Sequence, residues 1–425
     1  AFLLFCFLPT AAVSYFMLHR DGPSEWENRI RSQLGIRTIV GAVETPTPRI
    51  TILRGVRIQD PDSPLWSELH RQSIDELVIE HGTRTNKLIV LNPVKIETRL
   101  LTRLIRESGS ELVSAIPSSP PWQIRLAKLI LSDGDKESAE LTLNTVDLLI
   151  QKTTSKPYGE IIEGVMTALV DDGNPVLNPI SLRLARAAGQ FAAELDTNNA
   201  PLPTHLFQHF FPIAQHLGDQ CTFTGKIGLA QADRLPGHGT IAGQLANVQL
   251  DQISRLTSRT VFGSCRIDGL KCLIADGRIT SLQMQVISDG SISLDRSWLI
   301  DSASLGVQTN LPTDHERVSL GKLNVRVNIN DGSIWFGGQP KLVQFEDGTQ
   351  LTRDCIAFDR SGKEVAICNR DQSTPIFELA GLLTGEASLG TRSVAFLDQF
   401  TIPAIPKAGS SEDLQRTAAR SGNNK

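Results

Sequence analysis

The side chains in this sequence that could bind a metal or attack a substrate fall in a few short stretches. His205 and His209 stand at i, i+4 in HLFQHFFPIAQHL (205–217), with His216 further along. On a helix that spacing puts two imidazoles on one face, as in the H-E-x-x-H zinc site, where the glutamate is the general base. Here Leu206 occupies the glutamate position, Gln208 cannot take a proton, and no third ligand follows. The pair therefore reads as two helix-surface histidines, and no metal ligand is assigned. Ser264 lies in FGSCR, which is not the G-x-S-x-G turn that activates a serine. GHGTIAG (237–243) is glycine-rich but does not open onto a helix as a phosphate loop must. Its continuation through Leu245, Val248 and Leu250 fits a strand with a close backbone approach. No catalytic residue or cofactor is assigned, and the chain reads as a non-enzyme.

Cysteines are the other reactive type. Cys265 and Cys272 close CRIDGLKC around Asp268-Gly269, and Cys355 and Cys368 close CIAFDRSGKEVAIC around Ser361-Gly362. If each centre is a two-residue turn, the flanking cysteines face each other across a hairpin. Counting outward, Cys355 and Cys368 fall on a non-hydrogen-bonded pair with Cα atoms about 4.5 Å apart, and Cys265 and Cys272 on a hydrogen-bonded pair about 5.5 Å apart. Both separations lie within disulfide range. Three outcomes stay open: cross-strand disulfides, unbonded facing thiols, or a four-thiolate zinc site, whose ligand pairs are normally spaced more closely. Cys221 has no partner in this scheme, and Cys6 lies in an apolar run.

The elements that would position these residues follow a period of two. Ile50, Ile52, Val56 and Ile58 alternate with Arg49, Thr51 and Arg57; Ile180, Leu182 and Leu184 with Ser181 and Arg183. Leu282, Met284 and Val286 alternate with Gln283 and Gln285, and Leu323, Val325, Val327 and Ile329 with Asn324, Arg326 and Asn328. Such alternation predicts strands with one apolar and one polar face. Asp-Gly recurs at 133–134, 172–173, 268–269, 276–277, 289–290, 331–332 and 347–348, the dipeptide favoured in two-residue hairpin turns. The sequence thus predicts a mainly β chain: an elongated, curved antiparallel sheet of hairpins with a few short helices. Helices are expected at 24–34, with Ser24 and Glu27 as a capping box, and at 99–108, 205–217 and 377–387.

Strands apolar on one side must cover that side, by packing two sheets or by curling into a trough. Of the 425 residues, 40% are hydrophobic but only 5% aromatic, so such a trough would be aliphatic and suited to acyl chains. The fourteen alternating apolar residues named above are the groove candidates. A net charge of −4 leaves no basic surplus for nucleic acid. An outer-membrane barrel would need aromatic girdles that two tyrosines and five tryptophans do not supply.

The first eighteen residues carry no charge and, as a helix, would span about 27 Å, close to a bilayer core. This predicts a single-pass anchor over 1–20, with a cleaved signal peptide as the rival and the bulk of the chain outside the cytoplasm in either case. Composition shifts divide the rest into β regions over 21–115, 116–200 and 201–405, with a disordered tail expected over 406–425.

Two stretches carry a family likeness. One runs from the apolar opening into RIRSQLGIRTIVGAVETPTPRITILRGVRIQDPDSPLW and IDELVIEHG; the other from CTFTGKIGLAQ through GTIAGQLANVQLDQISRL to VFGSCRIDGLKCLIADGRITSLQMQVISDGSISLDRSWL. On these short strands broken by glycines, the chain resembles the AsmA-like family of bacterial envelope proteins. The resemblance implies a curved β trough anchored in the inner membrane with its bulk in the periplasm. It also implies membrane lipids, and further envelope proteins, as partners in phospholipid transport or envelope biogenesis. A scaffolding role without lipid transfer is the alternative. The family supplies no catalytic residue to carry over.

Overall fold

Alternating sequences do form strands here, and nearly all pair antiparallel. The computed structural model describes residues 22–34, 38–58, 73–82, 85–98, 121–133, 136–155, 159–170, 179–187, 190–208, 210–232, 237–257, 259–288, 290–310, 316–344, 350–368 and 373–384. The expected anchor over 1–20, the helix at 99–108 and the tail from 406 lie outside the described residues. Among the described residues no helix is long and apolar enough to cross a membrane. The chain divides into two compact units: Ala1–Ser132 with Thr142–Pro175 and Leu182–Gly189, and Asp133–Leu141 with Val176–Ser181 and Gln190–Lys425.

Helix α1 (Pro23–Leu34) starts on a proline, whose fixed φ and missing N–H suit the first helical position. Its cap differs from the expected one. The Gly22 N–H donates to Glu25 Oε2 (3.2 Å), while Glu27 Oε1 accepts the Val40 N–H at 2.8 Å. The helix thus spends Glu27 on the chain entering the sheet. Strands β1 (Thr38–Ile39), β2 (Ala42–Thr47), β3 (Ile50–Ile58), β4 (Ser73–Glu80) and β5 (Asn86–Val90) pair antiparallel. β5 and β6 (Val94–Glu97) then run parallel to β7 (Trp122–Asp133). β8 (Lys136–Ser155) pairs antiparallel with β9 (Gly159–Val170), and β10 (Ile180–Ala187) follows.

The polar face predicted for β3 is instead a core face. Thr51 and Leu53, opposite Ile79 and Leu77, are buried, with Leu53 fully so. The cause is a cover at the side of the strand: the Trp26 ring lies 5.8 Å from His81, whose Nε2 is 3.0 Å from Thr51 Oγ1. A hydroxyl that finds a partner can be buried at little cost.

The second unit is built on β11 (Gln190–Asp196), β12 (Leu202–Pro203), β13 (Thr222–Ala232), β14 (His238–Gln249), β15 (Val261–Phe262), β16 (Ser264–Ala275) and β17 (Arg278–Ser288). It continues through β18 (Ile292–Asp295), β19 (Val307–Thr309), β20 (Arg317–Leu320), β21 (Lys322–Asn330), β22 (Ser333–Gly337), β23 (Gln339–Gln344), β24 (Gln350–Phe358), β25 (Glu364–Cys368) and β26 (Ser373–Pro375). The main ladder runs β11–β13–β14–β16–β17–β21–β22–β26, all antiparallel. β15, β18 and β20 form a small separate sheet, and β23, β24, β25 and β19 a further ladder. A core of Ile292, Leu294, Leu320, Ile356, Val365 and Ala366 binds these smaller ladders together. Helices α2 (Leu250–Ser254), α3 (Arg296–Asp301) and α4 (Ile376–Thr384) are short. The helix expected over 205–217 is two 3-10 turns, Thr204–Phe207 and Pro212–His216, because Pro212 cannot continue the first.

Asp276-Gly277 and Asp331-Gly332 make the predicted two-residue turns, with φ of 51° and 73°, and 48° and 77°. They join Ala275 to Arg278 and Asn330 to Ser333. Asp268-Gly269 does not turn the chain. It is a bulge inside β16, where pairing steps from Asp268↔Gln285 to Lys271↔Gln283. The hairpin proposed for CRIDGLKC is therefore replaced by one continuous strand. Both flanks of the dipeptide already pair with β14 on one side and β17 on the other.

Candidate functional site

The bulge fixes what Cys265 and Cys272 do. Seven residues apart on one strand, their Cα atoms are separated by about 23 Å of extended chain, far beyond disulfide reach. Each joins its own cluster: Cys265 with Cys221 and Val248, and Cys272 with Ile274. In the second pair the turn does fall near Ser361-Gly362, with Asp359 Oδ1 accepting the Ser361 and Lys363 N–H groups at 2.8 Å. The loop, Arg360 to Gly362, is centred on Ser361 and sets Phe358 opposite Glu364, so Cys355 faces Ile367 and Cys368 faces Asp354. Cys355 and Cys368 are not opposite each other, and all five described cysteines are buried and outside any disulfide. Burial pushes the Cys272 and Cys221 thiols up to about 11; burial, then the Asp354 carboxylate, pushes Cys368 up to about 12. At neutral pH they are uncharged and pack as small apolar groups.

With the register known, Cys272 marks the centre of a continuous apolar row. Leu195, Ile227, Ile241, Cys272, Leu282, Ile329 and Ile334 are successive cross-strand partners on seven strands. A second row, Leu202, Phe223, Leu245, Ile267, Val286 and Val325, crosses six strands on the same face. The register resets at two bulges, one between the rows and one beyond the second row. The extra residue at Gly269 in β16 is cancelled against β14 by one at Asn247 (φ 58°). Between the rows the backbones of β13 and β14 touch at Gly225↔Gly243: a Cβ on Gly225 would meet the Ala242 carbonyl oxygen at 2.1 Å. GHGTIAG is thus the close-approach strand its pattern predicts.

Six groove candidates meet on this face, as the direct pairs Leu282↔Ile329, Met284↔Val327 and Val286↔Val325. Leu323 packs with Val325 against the core of the smaller ladders. Ile180 is buried, while Leu182 and Leu184 are half-buried, Leu184 beside Gly164. Ile50, Ile52, Val56 and Ile58 belong to β3 of the first unit, where Val56 is buried and the other three are half-buried.

The second unit covers its apolar face at three points. Phe211 lies on the Cys272 group, Leu217 and Ile253 on the Cys265 group, and Ile376 and Leu379 of α4 on Val327, Ile329 and Ile334. Between these covers Leu282, Met284, Val286 and Ile267 remain half-buried. The opposite face of β17, β21 and β22 is polar. It carries an open cavity of about 400 Å³ lined by Ser281, Asn328, Asn330 and Trp335, which the alternating pattern marked only as a solvated side.

His205 is buried in its 3-10 turn, and is not the helix-surface residue its spacing predicts. Burial, then Arg255, holds the His216 imidazole below its usual range. His209 lies outside the described residues. Among the described residues no three His, Cys, Asp or Glu side chains gather where they could hold a metal ion.

Fold and face together define a mainly β protein of mostly antiparallel, open ladders, one of them lined on one side by aliphatic rows. Comparison with protein-family models, curated proteins and solved structures found no match.

Proposed function

We propose that the aliphatic face of the second unit holds acyl chains of membrane lipids. On this reading the chain is an AsmA-like envelope protein of the inner membrane, with this face as a lipid groove in the periplasm for phospholipid transport or envelope biogenesis. The observation that carries it is the seven-strand row through Cys272. Six inter-strand steps make it about 29 Å wide, comparable with the roughly 30 Å hydrocarbon core of a bilayer. Its middle, around Met284, is left half-buried by the protein's own cover. Smooth apolar walls without charged groups suit a ligand recognised by its methylenes. The N-terminal apolar run would supply the anchor, and no catalytic chemistry or nucleic acid is involved.

A scaffolding role is the second reading, favoured by α4 and Phe211 lying on the same face. Extracting the full chain, purified without added lipid, and weighing the extract by mass spectrometry separates the two. Lipid transport predicts retained phospholipid, with Met284→Glu reducing it by about tenfold or more, because a carboxylate there must be desolvated. A wild-type protein free of phospholipid sinks the lipid reading and leaves the scaffold.

A further inference from the structure

The polar face opposite the aliphatic rows has features that solvation alone does not require. Two cross-strand rows run side by side across β17, β21 and β22: Ser281–Asn330–Ser333 and Gln283–Asn328–Trp335. Trp335 places a half-buried indole among the amides and hydroxyls of these two rows. Among the described residues its ring stacks on no other ring and faces no cation. Ser281, Gln283 and Asn328 likewise have no side-chain hydrogen bond among the described residues. The next row along the strands differs: Gln285 donates to Asn324 Oδ1 (2.7 Å) and Arg326 to the Gly338 carbonyl (2.8 Å). Donors and acceptors are thus spent on the protein in one row and left available around Trp335 in the other. Asn330 donates one amide hydrogen to Asp331 (3.1 Å) and keeps its carbonyl oxygen.

We infer that this cavity binds a pyranose ring of an uncharged glycan, with Trp335 as the stacking platform and Asn328, Gln283, Asn330 and Ser281 reading its hydroxyls. Each sugar hydroxyl is both donor and acceptor, and a carboxamide offers one of each side by side. The C–H face of a pyranose is apolar and flat, which a tryptophan ring matches while its N–H stays near water. A cavity of about 400 Å³ is large enough for one such ring and too open for a buried cofactor. The four lining residues are uncharged, so nothing there neutralises a phosphate or carboxylate.

Titrating the full chain with cellotetraose, maltotetraose and chitotetraose by calorimetry, each to about 10 mM, tests this. Saturable binding of at least one is expected. Trp335→Ala should weaken it about tenfold or more, Trp335→Phe less, and the exposed Asn328→Ala several-fold, with unchanged far-ultraviolet circular dichroism and unchanged phospholipid retention. A face that is merely solvated gives no saturable heat with any of the three, and that result overturns the assignment. Binding that survives both Trp335→Ala and Asn328→Ala overturns it equally.

Discussion

Burial, not spacing, decides what the cysteines do. A thiol attacks only as thiolate, and the apolar surroundings of Cys272, Cys221 and Cys368 oppose ionisation. Iodoacetamide at pH 8 should therefore leave these three untouched in the folded chain and modify them once urea unfolds it. Peptide mapping that finds Cys272 alkylated under native conditions would contradict its place in the row. Gly225 makes the opposite point, since its value lies in having no side chain. Gly225→Ala puts a methyl 2.6 Å from Gly243 Cα, at a φ of 149° that L residues rarely adopt. A loss of about 2–4 kcal/mol is expected, read as a lower urea midpoint at unchanged slope. The Gly-rich run was legible as a strand with a close approach. That Gly225, eighteen positions back, is its partner was not, because only the β13–β14 register brings the two together.

Among the elements, local turn chemistry decides the outcome where the flanks are free to pair with each other. Asp276-Gly277 and Asp331-Gly332 have such flanks; Asp268-Gly269 does not, and the same dipeptide becomes a bulge. The turn near Ser361-Gly362 was legible too, but its loop is three residues centred on Ser361, and that offset separates Cys355 from Cys368. Helix α1 shows the same limit. Its extent was legible in SEWENRIRSQL, yet Glu27 accepts the Val40 N–H between β1 and β2, thirteen residues on, instead of capping the helix. Glu27→Ala should leave the Val40 N–H without its carboxylate and cost about 1–2 kcal/mol. Glu27→Gln, which keeps an acceptor, should cost less; equal losses in the two variants would show that the bond carries no weight.

For the whole molecule the buried thiols set a direction for stability against pH. An unfolded cysteine releases its proton near its ordinary pKa of 9.0, whereas folded Cys221 and Cys272 hold theirs to about 11 and Cys368 to about 12. Between pH 9 and 12 the unfolded state has lost protons that the folded state keeps, so stability falls as pH rises through that window. Urea midpoints at pH 8, 10 and 11 should decline. Replacing Cys272 by alanine should flatten part of the decline, at the cost of a small cavity. The two proposed ligands meet opposite faces of the same strands, so lipid loss by Met284→Glu and glycan loss by Trp335→Ala should be separable.

The sequence by itself determined that this chain is mainly β, that its strands are one-sided in many places, and which dipeptides favour turning. These follow from side-chain period and backbone preference, which are local. Tertiary structure decided which apolar residues share a face. Thr51 and Leu53 form a core because Trp26 and His81 sit beside them. Met284 and Val327 meet because β17 and β21, far apart in sequence, pair in one register. Alternation repeats every two residues, so it cannot by itself tell one register from another two residues away, and bulges at Gly269 and Asn247 reset it mid-strand. Only the ladder that pairs all these strands at once selects one alignment, and with it the aliphatic row and the polar cavity behind it.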